Sequence, residues 1–476
     1  MDGRGGLTAA LEQIHGVDID EAAVRHHVMR PGHLLGVTSD QGREGAPARH
    51  FIWPPGPVLY RFDVIGFMRA LEEQLTGHVA GYSIRLTENG STIGLADQGW
   101  AKEPLDVSES WTPDTRMHVA SLSKVATAMA MTRLLGQAGI SPSTPIIDYL
   151  PGYWSKGPNV DRITFAELMT HTSGLAFGAT NSRSDFEWMK SQVAAGTTRL
   201  GEYSYQNMNF GLCRILLATI NGNIPVDWIL PEWLGWLFGP EFTDIFWDLI
   251  TINAYASYVT GQVFAPAGVT GPDFTHDASD ALAYDSPVTM NGWNSGDLTT
   301  MAGAAGWHMT VDELLKVMAA FRRSDAIVST AQAQAMLDDS FGIDWSEPTP
   351  LGRYYAKNGF WYDDSGQMEQ GVAFFLPQNM ELVILVNSPV GKRPDGPVPV
   401  HSRLGDLHRP HRGTDHAARR LKVPAVPRCP APGSSQAGIR GGRYLPVRHP
   451  APGAGQRGRL HRRAGRERRA WPGPEG

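Results

Sequence analysis

Ser121 and Lys124 are the residues whose types and spacing first suggest chemistry. They stand three apart in Met117-His-Val-Ala-Ser121-Leu-Ser-Lys124. On a helix, positions i and i+3 share a face. A serine hydroxyl is a weak nucleophile at its own pKa and needs a base within hydrogen-bond reach. A lysine amine can be that base when burial or nearby positive charge depresses its pKa. The start of a helix also aims backbone N–H groups at a developing oxyanion. The pair alone is a weak signal, because Ser-x-x-Lys also occurs on exposed helices as two solvated side chains. Rival chemistries have less support. No Gly-x-Ser-x-Gly elbow accompanies His118, His171 and His308, so a serine–histidine triad is not expected. The pairs Asp338-Asp339 and Asp363-Asp364 read as solvated loops rather than a metal or glycosidase pair. Two cysteines, Cys213 and Cys429, are too few for a disulfide scaffold or a cysteine-based zinc site. Cys213 lies in the apolar run 211–217 and reads as a buried thiol.

The elements that must position Ser121 and Lys124 follow from local signals. Residues 121–135 are rich in Ala, Met and Leu and predict a helix. Residues 63–75 carry apolar positions at helical spacing, with Asp63 as N-cap. Residues 79–86 alternate as a strand, Asn89-Gly90 signals a tight hairpin, and 92–95 return as a second strand. Thr164 caps a helix over 163–171. Thr310, with Glu313 three residues on, forms a capping box for a helix to Phe321. Three strand-like runs follow at 354–361, 371–375 and 382–387. Strands at both ends with a helical, loop-rich middle over 142–287 predict an α/β domain split by a helical insertion.

The 476 residues suggest two or three domains. With 42% hydrophobic and 19% charged residues the composition is globular, which excludes a mainly disordered chain. The net charge of −6 hides an asymmetry: residues 401–476 hold 17 Lys+Arg against 4 Asp+Glu. The remaining body is acidic, so nucleic acid is not an expected partner for it. Residues 1–16 are polar with no apolar core of a signal peptide, and no run of about 18 apolar residues occurs. A soluble, cytoplasmic protein is expected. The aromatic-rich stretch 228–247 reads as the core of a helical subdomain, with an apolar pocket wall or a membrane-surface patch as alternatives. The segment 397–476, nearly all Arg, Gly, Pro, Ala, His and Leu, reads as a disordered basic extension or as out-of-frame translation of a GC-rich gene. An RGG-like nucleic-acid segment is the third reading, without the repeated Arg-Gly-Gly units it calls for.

The flanks of Ser121, Thr115-Arg-Met-His-Val-Ala and Val125-Ala-Thr-Ala, resemble the active-site segment of the serine β-lactamase and penicillin-binding-protein superfamily. The likeness is to the class C β-lactamase branch, with its esterase and D-peptidase relatives of the family VIII carboxylesterase type. Further segments are similar in the same order: Ile163-Thr-Phe-Ala-Glu-Leu-Met-Thr-His-Thr-Ser-Gly-Leu175, then Tyr203-Ser-Tyr205-Gln-Asn207, then Phe264-Ala-Pro-Ala-Gly-Val269, then 302–321, and finally Lys357-Asn-Gly359 on a predicted strand. The resemblance covers about residues 55–395. It implies an antiparallel sheet flanked by helices with an inserted all-helical subdomain. The expected division is 1–54 as an extension of unassigned role, 55–145 plus 295–396 as the α/β domain, 146–294 as the helical subdomain, and 397–476 as the tail.

By the same resemblance Ser121 is the nucleophile and Lys124 shares the general-base role. Tyr205 acts as base or acid, its phenolate favoured by two nearby lysines. Tyr203 competes for that role, but only Tyr205 has Asn two residues on. Asn207 orients the acyl group or Lys124. Lys357, with Asn358 and Gly359, binds substrate electrostatically, and the backbone N–H groups of Ser121 and Phe360 form the oxyanion hole. No metal or cofactor is called for. Asn358 departs from the usual Thr or Ser, and the usual closing C-terminal helix is replaced by the tail. The expected activity is a serine hydrolase acting through an acyl-enzyme, a carboxylesterase on small or short-chain esters. The alternatives are an amide hydrolase (β-lactamase, D-aminopeptidase or D-Ala-D-Ala carboxypeptidase), an acyltransferase, or a non-catalytic ligand-binding relative.

Overall fold

Asp63 starts the described body by accepting the Gly66 N–H on its carboxylate at 3.1 Å, which caps helix α1 (Val64–Leu75). Strand β1 (Gly81–Glu88) follows and turns at Asn89-Gly90, both at positive φ (51° and 81°), into β2 (Ser91–Lys102). The computed structural model describes residues 60–390 except 180–182, 234–238 and 240, together with Arg30–Pro31. The expected extension 1–54 and tail 397–476 therefore lie outside the described residues, apart from that pair. Short strands β3 (Glu109–Ser110) and β4 (Met117–His118) lead to a 3-10 turn, Ala120–Leu122, and then to α2 (Ser123–Ala138). The helical middle holds α3 (Phe165–Met169), α4 (Phe186–Ala195), α5 (Asn207–Ile220) and α6 (Phe242–Val259). The chain returns through β5 (His308–Met309), α7 (Val311–Arg323) and α8 (Thr330–Asp338). It ends in β6 (Trp345–Thr349), β7 (Gly352–Tyr362), β8 (Met368–Leu376) and β9 (Met380–Val386).

Seven strands form one antiparallel sheet in the order β3-β2-β1-β9-β8-β7-β6. The period of two along each strand divides its side chains between two cores. Tyr82, Ile84 and Leu86 of β1, with Leu382, Ile384 and Val386 of β9, pack with Phe67, Met68, Leu71 and Leu75 of α1. Val383, Leu385, Ala373 and Phe375 face the other way, into the larger core that holds the helices. Within that core α2 is buried all round its first nine residues, so its sequence is apolar without a polar stripe. Trp247 of the aromatic stretch joins this core, whereas Ile229 and Trp233 are exposed. Cys213 is buried there too, and burial raises its thiol to about 12.

Two elements differ from expectation. The helix expected from residue 121 begins at Ser123, and Ser121 sits on the preceding 3-10 turn. The cause is tertiary: Val119 N–H donates to Trp307 O at 2.9 Å, and Met117 and His118 pair with Met309 and His308. Those bonds hold Met117 and His118 as a strand and place the turn Ala120–Leu122 ahead of the helix. The helix expected over 163–171 is the five-residue α3, with Thr164 and Glu167 forming a full capping box. Among the described residues no helix is long and apolar enough to cross a membrane.

The box at α7 gives a test. The Thr310 hydroxyl accepts the Glu313 N–H at 3.1 Å, and the Glu313 carboxylate accepts the Thr310 N–H at 2.9 Å. Thr310→Ala is expected to lower stability by about 1 kcal/mol, read from the midpoint of urea unfolding.

Candidate active site

The 3-10 turn carrying Ser121 packs against β7 and β8 where the helices meet the sheet. Ala120 is held at φ 47°, a left-handed conformation uncommon for alanine, immediately before the serine. Gly359 lies directly beneath this turn. A Cβ there would come 2.7 Å from Val119 O, 2.9 Å from Ser121 N and 3.0 Å from Leu122 N. Only glycine lets β7 approach the turn so closely.

Three groups converge on the serine. Lys124 Nζ lies 2.9 Å from Ser121 Oγ, and the Tyr205 hydroxyl donates to the same oxygen at 2.6 Å. Lys124 Nζ also reaches Asn207 Oδ1 at 2.7 Å and Ala304 O at 2.7 Å. Lys124 is fully buried on α2, Asn207 opens α5, and Ala304 belongs to the turn before β5. The site is therefore assembled from three segments far apart in sequence. Burial, then the charge of Lys357, holds the Lys124 amine well below its ordinary value, with Asp344 opposing.

Burial raises the Tyr205 hydroxyl above the ordinary tyrosine value, and Asp344 adds to the rise; the bond to Ser121 opposes it. The two lysines do lie 5.0 Å from its ring centroid. Desolvation of a phenolate nevertheless outweighs them, so the phenol is the resting form. Tyr203 is 48% exposed. His171 lies beside Tyr205 with ring centroids 4.2 Å apart and the rings tilted by 33°. Its Nδ1 accepts the Gln206 N–H at 3.3 Å, and burial keeps the ring neutral.

Lys357 is buried on β7 and paired: its Nζ lies 2.6 Å from Asp344 Oδ1. Asp344 Oδ2 accepts the Asn358 N–H at 3.0 Å. Asp344 was not singled out from sequence. It precedes β6, whose Trp345 pairs with Ala356, so the register places it opposite Lys357. Backbone alternation also places Phe360. The N–H of Asn358 points to the edge of β7 away from β8, and the N–H two residues on points the same way. Phe360 and the Ser121 turn thus approach one another across Gly359. Ala304 O, Asp344 and His171 are the contributors to the site that motif spacing missed; of these Ala304 and His171 stood inside noted segments.

Comparison with known proteins places this geometry. Residues 67–228 match the Beta-lactamase family model. Protein flp of Staphylococcus aureus (strain MW2) is 24% identical over 171 residues, 33% of this chain and 33% of its own. The chain thus spans about a third of the length of the curated relatives it first matches. The octameric penicillin-binding protein homologue from Pyrococcus abyssi has a similar fold, with a TM-score of 0.52, 18% identity, and coverage of 70% of this chain and 75% of that one. A D-stereospecific amidohydrolase from Streptomyces sp. gives 0.51, 15%, 70% and 96%. The fold is the mixed α/β fold of these proteins, an antiparallel sheet with flanking helices.

Gly359→Ala tests the close approach of β7 to the serine. A methyl group against three backbone atoms has to push the strand and the turn apart. The variant is expected to stay folded by circular dichroism, melt several degrees lower and lose reactivity of Ser121 toward a fluorophosphonate label.

Proposed function

We propose that this chain, a member of the serine β-lactamase and penicillin-binding-protein superfamily, is a serine hydrolase that forms an acyl-enzyme on Ser121. The observation carrying this reading is the convergence of Lys124 and Tyr205 on one serine oxygen, at 2.9 and 2.6 Å. Proton accounting supports the roles. Asn207 Oδ1 and Ala304 O can only accept, so they take two N–H bonds from Lys124. A neutral amine then has one lone pair left, and it faces Ser121 Oγ. The serine O–H donates to that lone pair while the Tyr205 phenol donates to Oγ. As Oγ attacks a carbonyl carbon, its proton passes to Lys124 Nζ. The oxyanion is received by the N–H groups of Ser121 and Phe360. Tyr205, kept as a phenol, hands a proton to the leaving oxygen and is restored from Lys124. Water then enters, loses its proton to the same pair, and releases the acid.

The substrate class we favour is a small or short-chain neutral ester. The Asp344 carboxylate neutralises Lys357, which weakens any attraction for an anionic substrate group. Asn358 supplies no hydroxyl beside that lysine. An amide substrate is the second reading, favoured by the likeness to the D-stereospecific amidohydrolase. No ligand partner beyond a small molecule is needed.

Hydrolysis of p-nitrophenyl butyrate, with nitrocefin and a D-alanyl peptide alongside, tests the proposal. Ser121→Ala is expected to lose several orders of magnitude in rate, and an undiminished rate would place the nucleophile elsewhere. Turnover of the peptide alone would overturn the ester reading. The pH profile provides a second test. Activity requires neutral Lys124, so it is lost as pH falls through the depressed lysine value. Asp344 raises that value, so Asp344→Asn is expected to shift the acid limb of kcat/KM to lower pH. The same variant is expected to improve turnover of carboxylate-bearing esters relative to neutral ones.

A further inference from the structure

A second set of chemistry-bearing side chains lies outside the serine site. His276 and Asp280 stand four apart on the loop between α6 and β5, and His308 opens β5. One ligand atom from each lies within 4.8 Å of those of the other two. The arms are anchored before any ligand arrives. His308 N–H donates to Asp273 O at 2.9 Å, Ala281 N–H to Arg116 O at 2.8 Å, and Asp280 N–H to Asp277 O at 3.0 Å.

The tautomers can be read from the partners. His308 Nδ1 lies 3.1 Å from Gly306 O, which only accepts, so Nδ1 carries the proton and Nε2 a lone pair. That Nε2 is buried and has no hydrogen-bond partner among the described residues, and His308 is fully buried. His276 Nδ1 is likewise buried and unpartnered. It stands 4.0 Å from Asp280 Oδ2, too far for a hydrogen bond. Asp280 is 2% exposed and accepts the Asp277 N–H on Oδ2 at 2.9 Å. The two imidazoles and the buried Asp280 carboxyl group thus converge.

We propose that His276, Asp280 and His308 bind a divalent transition metal of the zinc type, with water completing the coordination. Two imidazoles and one carboxylate suit this ion. The Nδ1–H bond from His308 to Gly306 O is the outer contact that fixes a ligating ring. Behind it, the His118 ring lies 5.3 Å from His308 and donates Nδ1–H to Glu369 Oε2 at 2.9 Å. Burial pushes the Glu369 carboxyl up to about 8, and a nearby dication would favour its ionised form. The metal takes no part in the serine chemistry. It ties the loop around 273–281 to the β4–β5 ladder, which enters the Ser121 turn three residues before the nucleophile.

The test uses the full chain, stripped with EDTA, freed of chelator and titrated with CoCl2. One equivalent is expected to give visible d–d absorption that ZnCl2 displaces, and excess Zn2+ is expected to raise Tm by several degrees. His276→Gln and Asp280→Asn are expected to remain folded and lose both responses. His276 is partly exposed, so its variant carries the test even if a change at buried His308 prevents folding. Absence of binding by the folded wild-type chain, or binding unchanged in both variants, would overturn the proposal.

Discussion

A buried amine must settle its protonation state without help from water, and the site is organised around how Lys124 does so. Its nitrogen has three partners, two of them pure acceptors. Desolvation and the second lysine both disfavour the ammonium form. The same enclosure disfavours the Tyr205 phenolate. One physical cause, burial, thus disfavours the charged form of both neighbours of Ser121.

Holding three partners around one nitrogen requires segments from distant parts of the chain. Asn207 comes from the start of α5, Ala304 from the turn before β5, and Ser121 from the turn ahead of α2. The helical core packs these together, while β7 closes the far side through Gly359 and brings Lys357 with its Asp344 partner. The sheet's other core, under α1, supports β7 from behind through Tyr354 and Ala356. Rigidity on both faces of one strand fixes the distance between its backbone and the serine.

Much of this was legible in the sequence where the signal is local. Asp63, Asn89-Gly90, Thr164 and Thr310 each announce a cap or turn that the structure contains. The α/β class and the β-lactamase-type fold followed from strands at both ends and from ordered motifs. What escaped is non-local. The helix propensity of 121–135 is blind to the Val119–Trp307 bond that delays the helix to Ser123. Strand β6 contains Pro348, tolerated because β6 is an edge strand, and so it was not read as a strand. With β6 unseen, Asp344 had no visible partner. The lysines near Tyr205 can be counted in a sequence, whereas the burial that raises its hydroxyl cannot. His276 and Asp280 are 28 or more residues from His308, a spacing that matches no short metal motif.

The pairing of β1 with β9 has a consequence for biosynthesis. Tyr82 meets Val386 and Glu88 meets Met380, so the centre of the sheet joins residues about 300 positions apart. A ribosome delivers the β1–β2 hairpin long before β9 exists. Through that interval β1 presents an unpaired edge with Tyr82, Ile84 and Leu86 on one face. Contacts of such separation close slowly. The nascent chain therefore passes through a period in which a strand from the centre of its sheet is an open template. The protein's yield in a cell then depends on how well that edge is shielded until the last strand emerges.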